Sequence, residues 1–224
     1  MEINRLKILG SVNIGLYAKA NNNFLIYYSG ITSRKVKKLI NGLKVEPIPI
    51  KPLNTRIISP FIALNSRGLI ISRYLDLDLK DNIKSAIKGK DLELVELDTK
   101  YTAIGNLVII NDHAALTSPI LPNRVRREIA DKLDVEVSSI TIGRFSYIGS
   151  LMVVNNIGGL AAPVIKEDEL NFIRSLFKID VLTGTVNNGI YFVSSGIILN
   201  DKAIYVGENT VGRELLLISQ AFSR

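Results

Sequence analysis

Five asparagines recur along this chain at nearly constant intervals. They are Asn21, Asn65, Asn111, Asn155 and Asn200, separated by steps of 44, 46, 44 and 45 residues. Three positions after each, the chain enters an apolar run: Phe24-Leu25-Ile26, Gly68-Leu69-Ile70, Ala114-Ala115-Leu116, Gly158-Gly159-Leu160 and Ala203-Ile204-Tyr205. Self-similarity at a fixed period means one supersecondary unit used five times, and it constrains the fold before any single residue is interpreted.

The copies align on their asparagines. Ahead of each lies an apolar run rich in β-branched and aromatic residues: Ile14–Ala20, Ile57–Leu64, Leu107–Ile110, Leu151–Val154 and Ile190–Leu199. Each reads as a strand. The asparagine is placed at a tight turn, because it tolerates a left-handed backbone and can bond its own main chain. A second short strand follows. About three turns of amphipathic helix come roughly ten residues later. Val36, Leu39, Ile40 and Leu43 share a face in the first, Ile83, Ala86 and Ile87 in the second, and Val125, Ile129 and Leu133 in the third. Leu170, Ile173, Leu176 and Phe177 do so in the fourth, and Leu215, Ile218 and Phe222 in the fifth. Pro122 suits the first position of the third helix. Glu167-Asp168-Glu169 suits the positive end of the fourth, and Asp76 and Asp78 suit the start of the second. A third strand closes four of the units, at Lys44–Ile50, Leu92–Leu97, Val135–Ile142 and Ile179–Val186. A helix in every copy argues against an all-β propeller blade of similar period.

The fifth copy lacks a third strand, since its helix runs to the chain end at Arg224. The chain also opens with an orphan strand, Ile3–Leu9. These defects are complementary. The expected fold is α/β: a five-bladed α/β propeller with pseudo-fivefold symmetry, closed by the N-terminal strand completing the last repeat. Closure leaves the fewest free sheet edges. The repeats run over about 10–53, 54–100, 101–145, 146–188 and 189–224, the last joined by 1–9, in a single domain.

Composition narrows the function. The chain has 224 residues, with 47% hydrophobic and 22% charged, enough for a substantial core. It has no cysteine and one histidine, which excludes a disulfide framework, thiolate metal sites, a cysteine nucleophile and a multi-histidine metal centre. No apolar run reaches the roughly 18 residues that read as a membrane span, and Met1-Glu2-Ile3-Asn4-Arg5 lacks the layout of a secretory signal, so a cytoplasmic location is expected. Residues 1–100 carry 17 Lys/Arg against 9 Asp/Glu, whereas residues 101–224 carry 11 against 12. A one-sided positive field favours an anionic partner such as RNA, although solubility explains it equally well.

Several strings in the repeats carry a family resemblance. They include Gly105-Asn106-Leu107-Val108 with Asn111-Asp112, Ala115-Leu116 and Ser118-Pro119; Val135-Glu136-Val137; Gly149-Ser150 with Asn155, Gly158-Gly159-Leu160 and Pro163. Gly184-Thr185-Val186-Asn187 with Gly189, Ser195-Gly196-Ile197-Ile198 with Asn200-Asp201, and Ile14-Gly15-Leu16-Tyr17-Ala18-Lys19-Ala20-Asn21 complete the set. Over its whole length the chain resembles the archaeal translation initiation factor six family, relatives of the eukaryotic ribosome anti-association factor. The resemblance implies a pentein fold and a monomer that binds the large (50S) ribosomal subunit on the face that meets the small (30S) subunit. Docking there, on ribosomal protein L14 near L24e and the sarcin–ricin loop, would block subunit joining sterically. In eukaryotes the family also serves large-subunit maturation. The resemblance implies no cofactor, no metal, no small-molecule substrate and no membrane partner. Ala161-Ala162-Pro163 and Asn209-Thr210-Val211-Gly212-Arg213 depart from the family pattern, and the sequence lacks the acidic or Ser/Thr-rich tail of eukaryotic members, which puts tail phosphorylation in doubt. Other penteins process guanidino groups with a cysteine nucleophile and a histidine base, which this composition excludes.

Candidate contacts follow from where the copies differ. Six residues before each asparagine stand Gly15, Ser59, Gly105, Gly149 and Ser194, all small and all expected at the start of the first strand near one rim. Small residues there let strands crowd a pseudo-axis, a structural role. A flat rim also suits docking, with Asn106, Arg56 and Ser150 as polar contacts beside Gly105 and Gly149. Arg34, Lys35, Lys37 and Lys38 on the first helix, like Arg124, Arg126 and Arg127 on the third, read as a solvated face or as contacts to rRNA phosphates. Aromatic interleaving for base stacking is absent, so base-specific RNA readout is not supported. His113 beside Asp112 reads as an exposed turn pair with no nucleophile. The competing function is a generic basic ring that binds RNA or protein.

Overall fold

The computed structural model describes residues 1–223. Five separate three-stranded sheets are present. The first contains Ala18–Ala20, Phe24–Tyr28 and Glu46–Ile50; the second Ala63–Leu64, Gly68–Ser72 and Glu93–Leu97. The third contains Val108–Ile110, Ala114–Thr117 and Glu136–Ser139; the fourth Met152–Val154, Gly158–Ala161 and Asp180–Thr183. In each, the first two strands pair antiparallel across the asparagine turn, and the third returns parallel to the second after a helix. The fifth sheet takes its first two strands from Ile197–Leu199 and Ala203–Gly207. Its third is the N-terminal strand Glu2–Leu6, in parallel register from Glu2↔Ala203 to Leu6↔Gly207.

Five long helices cover the outer side: Ser33–Leu43, Leu77–Ile87, Asn123–Leu133, Glu167–Phe177 and Gly212–Ala221. Each fills the space between its own sheet and the preceding one. The second helix buries Leu79, Ile83 and Ile87 against Ile26, Ile48 and Ile50 of the first sheet and Leu69 and Ile71 of the second. The third helix does the same between the second and third sheets, and the fourth between the third and fourth. The first helix packs Val36, Leu39 and Leu43 on Ala203 and Tyr205 of the fifth sheet. No unit can bury its apolar face alone, which is the general property of stacked repeats. Three helices end on a non-glycine residue in the left-handed region, Lys44, Asp134 and Lys178, and the chain after the second helix turns at Gly89 with φ +77°. The third helix begins one residue later than expected: Pro122 precedes it in extended backbone, and Asn123 is its first residue. The expected end of the fifth helix, Arg224, lies outside the described residues.

One expectation is corrected. Three of the apolar runs ahead of the asparagines, Ile14–Ala20, Ile57–Leu64 and Ile190–Leu199, are not continuous strands: they contain the short helical turns Ile14–Leu16, Ser59–Phe61 and Val193–Gly196, and only their last two or three residues form strand. Leu107–Ile110 and Leu151–Val154 are strand apart from their first residue, which ends a matching turn at Ile104–Leu107 and at Ile148–Leu151. The small residues sit in these turns, not at strand starts. The cause is close packing. A β-carbon on Gly15 would strike the carbonyl of Ser194, one on Gly105 that of Ser59, and one on Gly149 that of Gly105. At these three positions adjacent turns touch backbone to backbone, which only glycine permits.

The asparagines have a second role beyond turning the chain. None has positive φ. In Asn155, Oδ1 accepts from the N–H groups of Ile157 and Gly158, both at 2.9 Å, and Nδ2 donates to the carbonyl of Asn200 at 3.0 Å. The same pattern links Asn21 to Asn65, Asn65 to Asn111 and Asn111 to Asn155. Asn200 returns the bond to Asn21 at 3.1 Å. Five buried side chains thus join their turns in a cycle.

Candidate functional site

The asparagine cycle and the cycle of helical turns stand at opposite ends of a narrow axial channel lined by the short first strands. At the asparagine end the next residues form an outer polar layer. Asp112 accepts from the Ser66 N–H and hydroxyl at 2.7 and 2.8 Å. Asn156 Nδ2 bridges Asp112 and Asp201, both at 2.8 Å, and Asn22 donates to Asp201 at 2.6 Å. Asp112 is thus engaged by neighbouring turns, while His113 beside it is exposed. The two form no catalytic pair.

At the other end the turns surround a cavity of about 370 Å³. Gly105, Asn106 and Ser150 line it together, with Ser59, Ser194 and Asn13. Gly149 lies just inside, in the channel wall. Arg56 is exposed on the approach to the second turn and is not part of this lining. The basic groups of the first helix lie elsewhere: Arg34, Lys37 and Lys38 are exposed on the side opposite Val36 and Leu39, on the outer surface. Lys38 also lies over the Tyr205 ring, 5.9 Å from its centroid. On the third helix, Arg124 is committed to Asp98 at 2.5 Å.

Two features escape a motif-based reading. The first is a run of aromatic rings beside the cavity. Phe145 and Tyr147 have centroids 5.0 Å apart, Tyr147 and Phe192 6.1 Å, and Tyr191 and Phe192 4.6 Å. Tyr147, Tyr191, Phe192 and the adjacent Ile190 are each about 40% exposed. They stand on two loops held by matched buried carboxylates. Glu169 Oε2 accepts from the N–H of Gly143 at 2.8 Å and caps its own helix through the N–H of Lys166. Glu214, one repeat later, accepts from the N–H groups of Asn188, Gly189 and Val211 and from the Thr185 hydroxyl. Asn187 and Asn188 adopt positive φ in that loop, a strained conformation which these bonds sustain. Burial pushes the Glu214 carboxyl up, but the four hydrogen bonds outweigh it and hold its pKa below the usual range. The repeat spacing of Tyr147 with Tyr191, and of Glu169 with Glu214, is the signal in the sequence.

The second feature is Lys19, the lone charge within the run Ile14–Ala20. Its side chain enters the channel and donates to the carbonyl of Ile62 at 3.0 Å. Burial lowers its pKa from 10.5 to about 8. That difference corresponds to about 3 kcal/mol of cost for holding the ammonium there at neutral pH.

Among the described residues no cluster of His, Asp and Glu is arranged to hold a metal ion, and no helix is long and apolar enough to cross a membrane. Residues 3–221 match the model of the eIF-6 family. The chain is 34% identical to translation initiation factor 6 of Pyrococcus horikoshii over 224 residues, covering 99% of this chain and 98% of that one. It is 36% identical to the Nitrosopumilus maritimus factor of the same name, covering 99% of each. Among solved structures, a DDAH from Pseudomonas aeruginosa superposes with a TM-score of 0.50 at 11% identity, over 97% of this chain and 93% of that one. That likeness concerns the fold alone.

Proposed function

The chain belongs to the eIF-6 family, and from that premise we propose that it is a translation initiation factor that binds the large (50S) ribosomal subunit and sterically prevents its premature joining to the small one. It works as a single-domain, monomeric, cytoplasmic pentein ring, closed where the N-terminal strand completes the fifth repeat. A ring seated on the subunit interface and a small subunit cannot occupy one volume, so inhibition follows from occupancy and its strength from mass action. The activity is binding and requires no cofactor.

The observation that carries this reading is the exposed aromatic run Phe145–Tyr147–Phe192–Tyr191, set on braced loops beside Asn106 and Ser150. An exposed apolar patch rimmed by polar groups marks a protein interaction site, and aromatic anchors dominate such interfaces. The docking face is therefore this end of the channel. Asn106, Ser150, Gly105 and Gly149 serve it, and Arg56 approaches from its edge. The ribosomal partner on this face is the L14 surface, near L24e and the sarcin–ricin loop. Arg34, Lys35, Lys37 and Lys38, on the outer helix, supply a salt-sensitive attraction to rRNA phosphates.

Co-sedimentation with purified large subunits tests the assignment. Replacing Tyr147 and Phe192 by Ala is expected to weaken binding roughly 30-fold or more, as loss of a hot spot of about 2 kcal/mol requires. Unchanged binding by that variant refutes the assigned face. Equal affinity for naked rRNA and intact subunits favours a generic basic ring instead.

A further inference from the structure

We infer that the mouth of the axial channel is a binding site for a compact oxyanion, with inorganic phosphate the simplest occupant, held by the Lys19 ammonium and the polar groups of the surrounding turns. The chemistry of the cavity points one way. Lys19 presents three N–H donors, and Ile62 takes one. Lys19 is half-buried in the cavity wall, and no acidic side chain lines that cavity to offset its charge. A buried charge left without a counter-ion is costly. The other side chains on the cavity wall are uncharged. The carboxylates near the axis, Asp112 and Asp201, belong to the opposite mouth.

The lining is rich in donors. Ser59, Ser150 and Asn106 face the cavity, and Asn13 has its side-chain oxygen occupied by Asn187 and Ser195, which leaves its NH2 group to donate. The space of about 370 Å³ accommodates a tetrahedral oxyanion with residual water. A cation finds no carboxylate in this cavity. The site shares Asn106 and Ser150 with the proposed docking face, but phosphate binding by the free protein tests it without the ribosome.

Isothermal titration of the full-length protein with inorganic phosphate, in chloride buffer of constant ionic strength, tests it. At pH 7.5 the wild type is expected to bind one phosphate. Lys19→Met is expected to bind at least about tenfold more weakly, since a charge-assisted hydrogen bond is lost, while Lys132→Ala, at an exposed position on the third helix, binds like the wild type. A second arm uses the wild type alone, in case Lys19→Met folds poorly. Between pH 7.5 and pH 10 phosphate keeps its dianionic form, while Lys19 becomes largely neutral. Affinity is expected to fall at least about tenfold as the protonated fraction of Lys19 shrinks. No binding by the wild type, equal binding by Lys19→Met, or an affinity unchanged at pH 10 each overturns the site.

Discussion

Asn200→Ala removes one side-chain link between the last repeat and the first, leaving the pairing of Glu2–Leu6 with Ala203–Gly207 in place. Its Nδ2 donates to the carbonyls of Asn21 and Leu43, at 3.1 and 2.9 Å. Its Oδ1 accepts from the N–H groups of Lys202 and Ala203, at 2.9 and 3.2 Å. The residue is 2% exposed, so water does not readily replace the lost partners. Four hydrogen bonds at about 1 kcal/mol each amount to about 4 kcal/mol, with more where a backbone group remains buried and unpaired. For a chain of this size, 1 kcal/mol moves Tm by about 2–4 °C. The expected loss is therefore about 8–16 °C in calorimetry or thermal circular dichroism. Asn171→Ala, on the exposed side of the fourth helix, serves as control and should stay within about 0.5 kcal/mol of wild type. A Tm for Asn200→Ala within about 2 °C of wild type would refute the reasoning that the asparagine cycle holds the first and last repeats together.

Two other perturbations test the remaining supports. Gly149→Ala places a methyl group against the Gly105 carbonyl and the Asn106 backbone, and the resulting overpacking should cost at least about 1–3 kcal/mol by urea titration. Gly212→Ala, with open space around it, should lose nothing; equal costs for the two would contradict close packing of the turns. For Glu214 the folded pKa lies below the usual value of 4.5. Its contribution is therefore complete above that value and is lost as pH falls through the folded pKa. Hydrogen exchange at residues 186–192 should accelerate across that acid window in the wild type, and at neutral pH in Glu214→Gln, which exchanges one acceptor oxygen for an amide donor. Equal protection in both proteins at both pH values would show that Glu214 does not brace the aromatic loop.

Much of this architecture is legible in one period. The asparagine spacing places the turns, and the i, i+3, i+4 pattern places all five outer helices. The missing third strand of the last copy anticipates the parallel pairing of Glu2–Leu6 with Ala203–Gly207. The short helical turns are hidden, because runs such as Ile14–Ala20 look the same whether their first residues coil or extend. What decides is a neighbouring carbonyl pressed on Gly15, a contact about 180 residues away in sequence that no local pattern encodes. The second bond of each asparagine is hidden for the same reason: the turn is local, but the carbonyl that takes Nδ2 belongs to another repeat. At the cavity among the helical turns, Asn106, Ser150 and Gly105 meet as a shared rim position suggests, whereas Arg56 lies outside that lining. The aromatic run was obscured because its rings come from two loops, each with ordinary aromatic content, that only folding brings together.

Occupancy of one face of the ring is proposed to exclude subunit joining. This exclusion is tested most directly by sucrose-gradient sedimentation of purified 50S and 30S subunits mixed under joining conditions with increasing amounts of this protein. The 70S peak is expected to decline while the protein accumulates in the 50S peak, and Tyr147→Ala with Phe192→Ala is expected to restore 70S. An undiminished 70S peak with the protein bound throughout it would contradict the account.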